Sequence, residues 1–280
     1  MPGARPSFDP PPGSRPGDGR DARVTAIVLA GGDENDLLAR TVGAPAKALV
    51  PLKGRPLGAY VLDALRDARS VRRVVWVGAC DAAMARSVDV AVPGGPRFVD
   101  SLTLGVGAAL SGGTPGERLL LSSADVPWLR GAAVDRFVEA AGRDHDLVYP
   151  VVSRAACEAT FPQVRRTWIR LADGEVTGGN LLSGTPEAVI RLLPWVDAVT
   201  RARKAPLRLA AMAGPAVLVG LLTGRVTLRG LERRLGRRLG SSLRVMMSDD
   251  PTLGTDVDRP EHLPATLELS APLGEELLDV

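Results

Sequence analysis

Short apolar runs alternate with helix-patterned stretches along the first half of the chain, and this alternation limits the fold more than any other feature. Val24-Thr25-Ala26-Ile27-Val28-Leu29-Ala30 ends in Gly31-Gly32. A short run with no polar alternation predicts a strand buried on both faces, followed here by a tight turn. Leu57, Tyr60, Val61 and Leu65 follow Pro56 at helical spacing. Val71 to Gly78 predicts a second strand, Leu119 to Ser123 a third, and Asp146 to Pro150 a fourth. Helices are predicted from Ser101 to Leu110, opened by Ser101 as cap, and from about Gly131 to Ala141. Alternation at roughly 25-residue intervals predicts βαβ units around a mostly parallel sheet, an α/β fold. In such sheets ligands bind beyond the carboxyl ends of the strands, which places the Gly31-Gly32 loop and Asp125 on one rim.

The flanks differ in composition. The first twenty residues hold six prolines and four glycines with almost nothing apolar. They cannot bury enough surface to offset ordering entropy, so residues 1–22 are expected to be a disordered tail without the layout of a signal peptide. One ordered domain is expected over 23–265, with a C-terminal tail over 266–280. Between Arg201 and Arg244 stand eleven basic residues and one acidic residue, Glu232, a local charge of +10 in a chain whose total is +3. The stretch from about 200 to 245 is therefore expected to be an Arg-rich helical insertion facing an anion, either an acceptor's phosphate or acidic lipid; a solvated face is the plain alternative. Leu228, Leu231, Leu235 and Leu239 recur there at helical spacing, with arginines around them. The uncharged stretch Leu209 to Gly224 contains Gly214, Pro215, Gly220 and Gly224. It is shorter than the roughly 20 apolar residues of a spanning helix, so no transmembrane helix is expected.

Two cysteines, Cys80 and Cys157, lie far apart and outside any CxxC, which excludes a disulfide scaffold and a structural zinc site. Two histidines, His145 and His262, exclude a His-rich metal site. Aromatic residues are 4% of the chain, too few for a base-stacking platform, so no nucleic-acid partner is expected. Reduced thiols without an export signal point to the cytoplasm.

Four clusters carry chemistry. Gly31 and Gly32 let backbone N–H groups approach a phosphate, and Lys47 could reach over the loop to a triphosphate as a point charge. A plain tight turn is the alternative; neither a Walker A loop nor GxGxxG is present. Asp125 stands at the mouth of a buried strand, where its charge needs a cation or donors, and magnesium bridging substrate phosphates would serve; helix capping is the alternative. In Thr255-Asp256-Val257-Asp258 an extended backbone points both carboxylates one way, toward a cation, while Asp258 could instead cap a helix opened by Pro260. Thr177-Gly178-Gly179-Asn180 suits a polar acceptor or simply a β-turn.

In order, AIVLAGG, PAKALVPLKGRPLGAYVLDAL, LLLSSADVPWL and DVDRPEHL resemble the MobA-like NTP-transferase family. Its relatives include molybdenum-cofactor guanylyltransferases, cytidylyltransferases and sugar-nucleotide pyrophosphorylases. The resemblance runs from about Val24 to Pro264. It implies a Rossmann-like three-layer sandwich of the nucleotide-diphospho-sugar transferase kind. It implies an enzyme that moves a nucleoside monophosphate from a nucleoside triphosphate to a phosphorylated or hydroxyl acceptor, with Mg²⁺ and release of pyrophosphate. Leu29, Ala30, Gly31 and Gly32 match the family's backbone cradle, Lys47 its PK lysine, and Ser101 and Gly105 the stretch beside the nucleotide. Asp125 matches the magnesium-binding Asp, making Lys47 and Asp125 the implied catalytic pair. Asp258, with Asp256 second, matches the acidic residue that completes the metal site. Thr177, Gly178, Gly179 and Asn180 resemble an acceptor-binding segment. The chain departs from the family pattern at Asp33-Glu34-Asn35-Asp36, where an Arg-containing triplet is usual, and at Pro45-Ala46-Lys47, which carries one extra residue. A GT-A-like glycosyltransferase and a catalytically decayed nucleotide-binding module are the rival readings.

Overall fold

The computed structural model describes residues 23–31, 36–114, 116–202 and 223–262. The expected tails, the acidic residues Asp33 and Glu34, the cradle residue Gly32 and most of the uncharged stretch before Gly224 lie outside them.

Nine strands make the main sheet. The first is β1 (Val24–Ala30), followed by α1 (Leu37–Val42), a single 3₁₀ turn at Lys47–Leu49 and a small hairpin of β2 (Pro51–Leu52) and β3 (Arg55–Pro56). Then come α2 (Leu57–Asp67), β4 (Val71–Gly78), α3 (Ala82–Arg86), β5 (Val90–Val92), α4 (Phe98–Ser111) and β6 (Arg118–Ser123). After α5 (Gly131–Ala141) follow β7 (Leu147–Ser153), α6 (Arg154–Thr160), β8 (Ile169–Leu171), β9 (Gly174–Gly178) and β10 (Leu181–Gly184). The last elements are α7 (Pro186–Ala202), α8 (Leu228–Leu239) and β11 (Leu243–Ser248).

Strands β5, β4, β1 and β6 run parallel, as expected for βαβ units. Strand β10 is antiparallel and lies between β6 and β7. Strand β11 pairs parallel with β7 from Leu147 to Val152, so β9 and β10 must share the opposite edge of β7. They do so in succession, and the chain bends between them at Gly179-Asn180. The end of the Arg-rich stretch is thus a strand of the central sheet, and α8 packs directly on it.

Side chains of β1 alternate between two layers, as the pleat requires. Val24, Ala26, Val28 and Ala30 join Trp76, Val61, Leu65, Val134 and Phe137 beneath α2 and α5. Ile27 joins Val75, Val77, Leu102, Val106, Ala188 and Val189 beneath α4 and α7. This is the three-layer sandwich. Helix α4 comes close to the sheet at Gly105, where an added Cβ would lie 2.6 Å from Ile27 Cγ2 and 2.8 Å from Val77 Cγ2.

The helix predicted from Ser101 begins earlier, at Phe98, with Arg97 as its cap residue. Ser101 is an interior, buried residue whose Oγ accepts the Gly95 N–H at 2.9 Å. The hydroxyl serves the preceding loop, so the predicted cap is corrected to an interior position.

Candidate active site

Asp125 sits just past the end of β6, where the backbone leaves the sheet. Its carbonyl accepts the Val257 N–H at 3.0 Å. Val257 is fully buried, against Leu38, Val50, Leu52 and Leu57. With Val257 pointing in, period-two alternation turns Asp256 and Asp258 outward together. Oxygens of Asp125, Asp256 and Asp258 lie within 4.8 Å of one another. The motif from β6 and the motif near position 257 therefore make one cluster.

Lys47 enters this cluster from the 3₁₀ turn. Its Nζ donates to Asp125 Oδ2 at 2.6 Å and to Asp258 Oδ1 at 2.5 Å. The sequence placed Lys47 over a phosphate loop; here it bridges the two carboxylates. Burial works against its ammonium, but Asp125 and then Asp258 outweigh that and hold its pKa above the usual value. Burial would also raise Asp258, yet Lys47 holds it below the usual carboxylate range. Asp256 is pushed up to about 6, by burial first and then by the charges of Asp125 and Asp258.

One positive charge faces three carboxyl groups, and Asp125 Oδ1 is buried with no hydrogen-bond partner. An all-oxygen set with an orphaned carboxylate oxygen suits a hard divalent cation. The residues present thus fit magnesium, with Asp125, Asp256 and Asp258 as the oxygens that would hold it. Asp258 places its carboxylate on Lys47, and its own N–H donates to His262 Nδ1 at 3.3 Å. The capping alternative for Asp258 is not what the side chain does.

A cavity of about 370 Å³ opens beside the cluster. Leu29, Ala30, Gly31, Lys47, Asp125, Gly179 and Asn180 all line it. Gly31 stands against Ser101, whose Oγ is 3.2 Å from where a Gly31 Cβ would be. Ser101 and Gly105 do not line the cavity: Ser101 supports the loop behind Gly31, and Gly105 packs α4 on the sheet. Of the acceptor segment, Gly179 and Asn180 reach the cavity, while Thr177 and Gly178 pair within β9 against Val152 and Val151. Asn180 is fixed through its backbone, its N–H to Leu253 O at 2.6 Å and its carbonyl to Ser123 N at 3.3 Å. Asp36 points its carboxylate at the Ala39 N–H, capping α1, and is not a cavity residue.

Sequence reasoning missed three supporting residues. Tyr149 lines the cavity and donates its hydroxyl to Gly179 O at 2.8 Å. Arg166 donates to Gly254 O and to Thr255 Oγ1, bracing the backbone that carries Asp256. His262 accepts the Asp258 N–H, and burial holds its pKa below the ordinary value although Asp258 and Glu261 pull it up. His262 stands four residues after Asp258 in the same motif, the one signal that could have found it.

The sequence model of a family described as MobA-like NTP transferase domain matches residues 26–220. No curated protein matches the chain. A hypothetical transferase from Thermus thermophilus is 38% identical, with a TM-score of 0.76, over 86% of this chain and 99% of that one. An inositol-1-phosphate CTP transferase from T. maritima is 14% identical, with a TM-score of 0.50, over 88% of this chain and 93% of its own. A 4-diphosphocytidyl-2C-methyl-D-erythritol synthase from Anaerococcus prevotii is 10% identical, with a TM-score of 0.50, over 88% of this chain and 95% of its own. At these low identities the last two show a shared fold.

Proposed function

The chain belongs to the family of MobA-like NTP transferase domains and is a nucleotidyltransferase, and from that premise we propose that it transfers a nucleoside monophosphate from a nucleoside triphosphate to a small anionic acceptor. An acceptor oxygen bonds to the α-phosphorus, the bond from that phosphorus to the bridging oxygen breaks, and pyrophosphate leaves. The observation that supports this most is Lys47 held between Asp125 and Asp258 beside Gly31, in one cavity with Gly179 and Asn180.

Such chemistry is mostly positioning and charge neutralisation. Bound Mg²⁺ would neutralise phosphate oxygens at Asp125, Asp256 and Asp258. Lys47, released from one carboxylate, would hold the leaving phosphates as a point charge. The Gly31 backbone offers the approach for the triphosphate, and Gly179 and Asn180 form the acceptor side. A phosphate acceptor arrives already deprotonated, so no general base is needed for it.

Among the described residues no helix is long and apolar enough to cross a membrane. The cytoplasm remains the proposed location. Contact of the Arg-rich stretch with acidic lipid is a separate proposal, independent of this chemistry.

The test is pyrophosphate release on mixing the protein with Mg²⁺, each of the four ribonucleoside triphosphates and a panel of phosphorylated acceptors. Release that needs both triphosphate and acceptor supports the proposal. Nucleotide binding with no turnover on any acceptor would favour the decayed module, and turnover of a nucleoside diphosphate sugar would favour the glycosyltransferase.

A further inference from the structure

Helix α8 carries LRGLERRLGRRL, and its two faces do different work. Leu228 and Leu231 pack on Val151, Val176, Val226 and Val245, and Leu239 packs on the cluster beneath α4 and α7. Thr227 caps the helix, its Oγ1 accepting the Gly230 N–H at 3.1 Å. The helix is therefore anchored without any partner. Glu232, its one acidic residue, is committed inward and accepts the Val245 N–H at 2.8 Å.

That leaves Arg229, Arg233, Arg234, Arg237 and Arg238, all exposed. Among the described residues none of the five has a carboxylate partner; the Arg237 Nε donates to the Arg233 carbonyl at 3.2 Å. The helix, of 12 residues, is about 18 Å long at 1.5 Å per residue. Arg229, Arg233 and Arg237 follow one another at i,i+4, as do Arg234 and Arg238, so they repel. A rigid array of unpaired guanidiniums is complementary to a dense anionic surface.

The array does not cover the catalytic cluster. Arg233, Arg234 and Arg237 line a cleft with His145, Ser241, Ser242 and Leu243. Leu243 pairs with Leu147 at the amino ends of β11 and β7, whereas Asp125 lies beyond the carboxyl end of β6. Strands β6 and β7 both run antiparallel to β10, hence in one direction, so the cleft and the carboxylates are at opposite ends of the sheet. A lid over the acceptor is thereby excluded for these arginines.

We propose that the outer face of α8 docks the protein on an anionic lipid bilayer. The exposed side chains of the helix are its five arginines, with no aromatic ring to stack a base and no amide to read a base edge. Ile190 on α7, the helix that packs against α8, is 45% exposed and adds apolar surface in the same helical layer. Attraction of this kind acts within a Debye length and weakens with salt.

The test is co-sedimentation of the full chain with vesicles of phosphatidylcholine alone, and of phosphatidylcholine with roughly one-third phosphatidylglycerol, at low and high salt. Binding is expected to the anionic vesicles only, and to fade at high salt. Arg233→Gln, Arg237→Gln and Arg238→Gln together should weaken it on the order of 100-fold while thermal melting stays unchanged. The same three positions changed to Lys should keep it, because the attraction is one of charge. Equal binding to neutral vesicles, or undiminished binding by the Gln variant, would overturn the proposal. So would absent vesicle binding together with binding to a DNA or RNA duplex.

Discussion

Val257 donates its backbone N–H to the carbonyl of Asp125 across 3.0 Å. This one bond joins two segments far apart in the chain and sets the geometry of the acidic cluster. It holds the extended backbone edge-on to the end of β6, so Asp256 and Asp258 both face Asp125. Lys47 then bridges Asp125 and Asp258.

Asp256 makes the metal-free protein pH-sensitive. Its folded pKa is about 6, raised by burial and by its two acidic neighbours, against about 3.9 unfolded. Below the unfolded value both states are protonated and the group contributes nothing. As pH rises from about 4 to about 6 the unfolded chain ionises first, and a destabilisation of about 2 kcal/mol after solvent screening develops. Above that window the loss is complete. Asp256→Asn is therefore expected to raise the melting temperature at pH 8 without divalent cation and to leave it unchanged near pH 4. A melting temperature that drops at pH 8 would contradict the assignment.

Lys47→Ala removes the one ammonium that offsets Asp125 and Asp258. Lys47 and Asp125 are largely buried while Asp258 is half exposed, so a stability loss of about 2 kcal/mol is expected. Added Mg²⁺ should restore more stability to this variant than to the parent, read as thermal shift against cation concentration. The variant should also lose affinity for a triphosphate more than for a monophosphate, since only the former reaches the assigned contact. Equal loss for both would move Lys47 out of the triphosphate's reach.

Gly179 sits where β9 bends into β10. A Cβ there would lie 2.7 Å from Pro150 Cγ and 2.8 Å from the Pro150 carbonyl oxygen, and backbone cannot swing away as a side-chain tip can. Gly179→Ala is expected to cost about 2 kcal/mol in a denaturant titration. It should raise the KM for acceptor more than for nucleotide, because Asn180 would move with the bend. A wild-type KM for acceptor would remove this bend from the acceptor site.

The sequence was most legible where one physical rule acted alone. The strands at Val24–Ala30 and Val71–Gly78 have the predicted ends, since each carries a run of β-branched and apolar residues that stops at a glycine. Asp125, Asp256 and Asp258 could be singled out because carboxylates grouped without enough donors repel one another, and the structure brings their oxygens within 4.8 Å. Ser101 was misread, since a serine before an apolar run looks like a cap; the helix starts at Phe98, and the hydroxyl bonds a loop that local pattern cannot reveal. The short strands Ile169–Leu171, Gly174–Gly178 and Leu181–Gly184 carry too few residues for a period to show. Arg166 and Tyr149 act on backbone carbonyls from distant segments, which only the assembled sheet brings near.

The proposed role of Asp125 is to organise the charge at the site of nucleotidyl transfer. Its most direct test is Mg²⁺-dependent pyrophosphate release by the parent and by Asp125→Asn, at matched nucleotide and acceptor, with thermal melting as the control for folding. The amide keeps the shape of the side chain but removes the carboxylate charge, so turnover is expected to fall by about 100-fold or more, with the fold retained. Pyrophosphate release at the parent rate in the folded variant would contradict the account.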